Sequence, residues 1–173
     1  MSRIKFCYYY TDCEDEVLAR METTGDIEIP FNMVIDNAAE ANVNEDCIYS
    51  IVIFGVSHDI RIFSSVEEYT AADTCMAIPS MIPVGTFPDN WPENTDDQVE
   101  ETHQILFTGT IEEFEKLEIA GDNMPNYLLL IETLEMELFL YIRYEGPIEE
   151  GYIAHGNAWL FGDLPEAEGE LIS

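Results

Sequence analysis

Asp89, Glu93, Asp97 and Glu100 stand at positions 1, 5, 9 and 12 of a frame like that with which an EF-hand loop wraps calcium in oxygen ligands. Such a loop also needs an oxygen donor at position 3 and a glycine at position 6 for its sharp turn. Trp91 and Asn94 stand there instead, so no metal is expected. His58, His103 and His155 lie far apart, in no H-E-x-x-H or Cys/His zinc spacing, and read as strand-end or surface histidines. Cys7, Cys13, Cys47 and Cys75 form no C-x-x-C pair and fall in or beside apolar segments, which suits buried free thiols. No G-x-S-x-G, P-loop or dinucleotide glycine fingerprint occurs. Among 36 carboxylates some pair must lie at glycosidase distance by chance. The expectation is a protein with no catalytic residue and no cofactor.

The remaining chemistry is charge. Thirty-six Asp and Glu face six Lys and Arg in 173 residues, a formal net charge of −30. Binding to a phosphate backbone needs cations that displace counterions, and only Arg3, Lys5, Arg20, Arg61, Lys116 and Arg143 are present, so direct nucleic-acid binding is excluded. Hydrophobic residues make up 47% and aromatics 12%, enough to bury a core despite the self-repulsion that such a charge imposes. The carboxylates form no single acidic tail. They recur in twos and threes, as at Asp12 to Glu16, Glu67/Glu68, Asp96/Asp97, Glu100/Glu101, Glu112 to Glu115 and Glu149/Glu150. Duplex DNA carries one phosphate per about 1.7 Å, so thirty charges match roughly 15 base pairs. A compact chain of this length is about 40 Å across, so the two charge densities are comparable.

The elements that would hold these charges follow one grammar three times. Residues 3–10 alternate as a strand, and Thr11 to Glu14 then offers a capping box for a helix over 12–21. Residues 58–63 precede the box Ser65 to Glu68. Residues 103–108 precede the box Thr110 to Glu113, after which Ile111, Phe114 and Leu117 supply a helical stripe. Further strands are expected over 27–35, 48–54, 135–144 and 151–155, the last continuing through Trp159 to Phe161. This predicts an α+β fold, mainly antiparallel sheets with strand-helix units. Four of the eight prolines fall in 78–98, which divides the chain into an N-terminal half, 1–88, and a more acidic C-terminal half, 89–173, unless one domain runs across. No apolar targeting segment follows Met1, so a cytoplasmic location without membrane contact is expected.

In length, charge and dispersed carboxylates the chain resembles the DNA-mimic inhibitors of phages and mobile elements, the antirestriction and anti-CRISPR proteins. Residues 104–119 (QILFTGTIEEFEKLEI) with 136–156 (MELFLYIRYEGPIEEGYIAHG) are similar to the ferredoxin-like domain of plasmid-borne YubB-type proteins. These resemblances imply a ferredoxin-like C-terminal half and a non-enzymatic inhibitor that blocks the DNA- or RNA-binding surface of a host nuclease. The alternatives are an immunity protein neutralising a toxin nuclease and an acidic adaptor for a basic partner. The expected partner-binding residues are Glu112, Glu113, Glu115 and Glu118 on one helix, with Asp96, Asp97, Glu100 and Glu101 before it. Trp91, Phe139 and Tyr141 are the apolar anchors, residues whose other use is core packing.

Overall fold

The computed structural model describes residues 1–10, 16–72, 76–84 and 102–166. The proposed 88/89 boundary lies outside these residues. Alternating side chains set most of the architecture, because a strand sends successive residues to opposite faces. The elements are β1 (Ser2–Tyr9), β2 (Leu18–Thr23), β3 (Pro30–Ile35), β4 (Cys47–Ile51), β5 (Ile53–Ser57), β6 (Ile60–Phe63), α1 (Val66–Ala71), β7 (Ser80–Pro83), β8 (Gln104–Leu117), β9 (Asn126–Glu132), β10 (Glu137–Arg143) and β11 (Ile153–Gly162). The described residues cluster into two compact units, one within Met1–Ile53, Pro83–Ile105 and Trp159–Ser173, the other within Phe54–Ile82 and Leu106–Ala158.

In the first unit β4, β1, β2 and β3 are neighbours in that order and antiparallel, and the end of β11 runs parallel to β3, Phe161 opposite Val34. Ile4, Phe6, Met21, Phe31 and Met33 are buried as the core of these strands. A register shift between Phe6 and Tyr8 breaks the alternation expected over 3–10 and leaves Tyr8 exposed. Pro30 opens β3, a position that requires no ladder donor. Asn37 ties down the segment after β11, accepting from Leu164 N at 2.9 Å and donating to Leu164 O at 2.7 Å.

In the second unit the strands form a closed five-stranded barrel. β5, β10, β9 and β8 are successive neighbours and β11 pairs with both β5 and β8. β10 shows the clearest alternation: Leu138, Leu140 and Ile142 are fully buried, while Phe139 and Tyr141 turn outward. Leu129 and Ile131 of β9 and Phe107 and Ile111 of β8 complete the interior, all fully buried. β8 carries a bulge. Ile111 stands opposite Ile131 and Phe114 opposite Leu129, so four residues of β8 face three of β9.

The α+β expectation is overturned. Among the described residues 54% lie in strands and 4% in one short helix, so the protein is nearly all β, and the C-terminal half is not ferredoxin-like. Of the two capping boxes within the described residues, Ser65 to Glu68 starts a helix and Thr110 to Glu113 does not: Ser65 Oγ accepts from Glu68 N at 3.1 Å, and the Glu68 carboxylate accepts from Ser64 N at 2.7 Å. α1 then packs Tyr69 against Phe63 and Ile153. The helix expected over 12–21 is contradicted from Leu18 onward by β2; residues 11–15 lie outside the described set. The helix expected after Thr110 is the second half of β8. Its stripe of Ile111 and Phe114 shares one strand face because the bulge absorbs the odd residue. Glu112, Glu113 and Glu115 therefore stand on a strand, and Glu118 follows it. Residues 48–54 form two strands, β4 and β5, rather than one.

Gly109 lies three residues before the bulge, and a Cβ there would stand 2.5 Å from Glu132 O and 2.7 Å from Ile131 Cγ2. Backbone cannot yield as a flexible side chain can, so Gly109→Ala should cost about 2 kcal/mol or more, roughly 4–8 °C in melting temperature for a chain of this size. A calorimetric scan in which this variant melts with the parent would show that β8 and β9 do not approach as described.

Candidate protein-binding face

Register places four outward side chains in each of two rows across β8, β9, β10 and β5. The first row is Glu113, Leu130, Phe139 and Phe54; the second is Glu115, Leu128, Tyr141 and Val56. Paired residues share a face of the sheet, so the eight form one surface on the outside of the barrel. Glu113 and Glu115 are exposed, Leu128, Leu130, Phe139 and Tyr141 half-buried, and Phe54 is 46% exposed. The rings of Phe54 and Phe139 lie 5.7 Å apart. Glu113, Phe114, Glu115, Leu128, Leu130 and Phe139 line a shallow groove here.

Four of the residues expected from the sequence are thus brought together: Glu113, Glu115, Phe139 and Tyr141. Glu112, whose backbone the bulge takes out of register, and Glu118, beyond the end of β8, are exposed but fall in neither row. Trp91, Asp96, Asp97, Glu100 and Glu101 lie outside the described residues, as does the whole calcium-like frame. Sequence reasoning missed Phe54, Leu128 and Leu130. The alternation of buried Ile53, Gly55 and Ser57 with outward Phe54 and Val56 carried the signal for Phe54.

One end of the face is closed by a polar cluster. The Tyr141 hydroxyl donates to Asn126 Oδ1, and Asn126 Nδ2 donates to Asp122 Oδ2 at 3.0 Å. Arg143 donates to both Asp122 oxygens, Nε at 2.9 Å and Nη2 at 2.7 Å, and Met124 N donates at 3.1 Å. The Arg143 guanidinium, with the Asn126 and Met124 donors, lowers the Asp122 carboxyl to about 2. This cluster fixes the connection between β8 and β9 and leaves Arg143 committed.

The described residue set best able to suggest catalysis lies elsewhere in the same unit. Thr108 Oγ1 stands 2.8 Å from His155 Nδ1 and 3.1 Å from the Tyr69 hydroxyl, which donates to Met76 O at 2.8 Å. Thr108 is fully buried, so its hydroxyl serves as a satisfied polar group of the core. Burial first, then Arg61 opposite it on β6, pushes the His155 imidazole below its ordinary value. Burial does the same to His103, which packs edge-on against Trp159 and Phe161 in the first unit. Cys7 and Cys47 are free and half-buried; Cys13 and Cys75 lie outside the described residues. Among the described residues no group of three His, Cys, Asp or Glu could hold a metal ion, and no helix is long and apolar enough to cross a membrane. Comparison with protein-family models, curated proteins and solved structures gives no match.

The two perturbed groups act in separate pH windows. His155 takes up its proton more readily unfolded, so its contribution is complete above about pH 6.5 and declines as pH falls below that value. Asp122 is lowered to about 2, so its contribution is complete above the ordinary value of 3.8 and is lost as pH falls towards 2. Protonating the other carboxylates relieves repulsion over the same range, so each effect is read as a difference from a variant. The parent should lose stability relative to His155→Gln as pH falls below about 6.5, and its advantage over Asp122→Asn should shrink only below about pH 4. Melting curves in which either difference is flat with pH would refute the corresponding assignment.

Proposed function

We propose that the chain is a non-enzymatic acidic inhibitor that stands in for nucleic acid and blocks the DNA- or RNA-binding surface of a prokaryotic defence nuclease, of the antirestriction or anti-CRISPR class, in the cytoplasm. The observation that carries the reading is the placement of Glu113 and Glu115 on a paired strand with a half-buried apolar and aromatic surface beside them. Fixed carboxylates meet fixed cations with little ordering cost, and aromatic side chains supply the desolvated contact area on which protein interfaces depend. The net charge of −30 supports the same reading, since it steers the chain towards basic clefts and away from nucleic acid itself.

The test is inhibition of a panel of purified restriction and CRISPR nucleases at several ionic strengths. At least one enzyme should be inhibited, with potency falling steeply between about 50 and 500 mM salt. The double variant Glu113→Gln/Glu115→Gln should lose about tenfold or more, while Glu112→Gln/Glu118→Gln, equal in charge removed, should lose much less. Potency independent of salt, or equal losses in the two variants, would contradict the proposal.

A further inference from the structure

The groove beside Glu113 and Glu115 has a composition that selects among cations. Its floor is hydrocarbon, Leu128 and Leu130, one wall is the ring of Phe139 with Phe54 next to it, and Phe114 also lines it between the two acids. The opposite rim is two carboxylates on one strand face, two residues apart and therefore about 6.6 Å apart along the strand. Among the described residues neither carboxylate has an ion-pair or hydrogen-bond partner. Lys116, between Glu115 and Leu117, is sent to the other face by alternation and stands opposite Tyr127. Arg143 is held by Asp122.

We propose that this groove receives an arginine side chain presented by the partner protein, a proposal that rests on the reading of the chain as a binder of basic proteins. A guanidinium is planar and weakly hydrated, so it can stack on Phe139 while its edge donors reach Glu113 and Glu115. The aliphatic stem covers Leu128 and Leu130, as long basic side chains do on apolar surface. A lysine ammonium would keep more of its water and could address only one carboxylate well. Phosphate groups are repelled by the rim. A second copy of this chain brings a charge of −30 and six basic residues, so charge complementarity points to a different, basic protein as occupant.

The test uses the full chain, isotope-labelled for NMR at low ionic strength. It is titrated with the peptide acetyl-Gly-Arg-Gly-Arg-Gly-amide and with its lysine and citrulline counterparts. The arginine peptide should move the signals of Glu113, Glu115, Leu128, Leu130 and Phe139, bind about threefold or more tighter than the lysine peptide, and leave citrulline without detectable binding. Phe139→Leu should weaken the arginine peptide about threefold, and Phe54→Leu, at a more exposed ring, serves as the second variant should Phe139→Leu disturb the spectrum. Shifts spread over all acidic segments, equal affinity for arginine and lysine, or indifference to both ring substitutions would overturn the proposal. Because no nuclease is present, such a failure is separate from that of the inhibitor reading, which the panel assay judges alone.

Discussion

One extra residue in β8 decides which side chains of the barrel face outward. The bulge between Ile111 and Glu113 brings Ile111 and Phe114 into register with Ile131 and Leu129, although they are three residues apart; Ile111 is fully buried there and Phe114 is 41% exposed. The same shift sets Glu113 and Glu115 on the outer side, in line with Leu130 and Leu128 and so with Phe139 and Tyr141. Without it the strand beyond Ile111 would be turned over, because a one-residue slip exchanges the two faces. The two rows of outward side chains exist through that single irregularity, and Gly109 allows β8 to come close to β9 just before it.

The charge is carried at some cost to the sheet. Glu132 and Glu137 stand directly opposite one another on β9 and β10, an arrangement that cross-strand pairing disfavours. What offsets the repulsion is the apolar interior of each unit: Phe31, Met21 and Met33 in one, Phe107, Leu129, Leu138 and Leu140 in the other, all fully buried. Lys5 and Glu22, paired across β1 and β2, and Arg143 with Asp122 each use a scarce cation locally. This leaves the outward carboxylates of β8 without compensation on their own face. A chain selected only for stability would place its few cations there.

Strand positions were legible wherever alternation ran unbroken. The alternation over 135–144 announced the strand that is β10, whereas for Phe139 and Tyr141 the sequence left anchor and core both open, and they stand half-buried on its outer face. The box at Ser65 was legible as a helix start because Val66 and Tyr69 follow it at helical spacing and no strand competes for them. The box at Thr110 misled for a physical reason. A Thr followed three residues later by Glu offers a local hydrogen bond, whereas β8 gains a whole antiparallel ladder with β9, and that partner lies beyond any local window. Barrel closure, the split of 48–54 at Val52 and the meeting of Phe54 with Phe139 are non-local in the same sense. Individual site residues could be read, and their assembly into a face could not.

If the carboxylates occupy the surface that nucleic acid uses, inhibitor and substrate exclude one another. The most direct measurement is the concentration of the chain needed for half-inhibition of a susceptible nuclease as the concentration of its nucleic-acid substrate is raised at constant salt. Mutual exclusion predicts that this concentration rises in proportion to substrate once substrate exceeds its own dissociation constant. A half-inhibitory concentration that stays constant across the same range would contradict occupation of the nucleic-acid surface and assign the acidic face to some other contact.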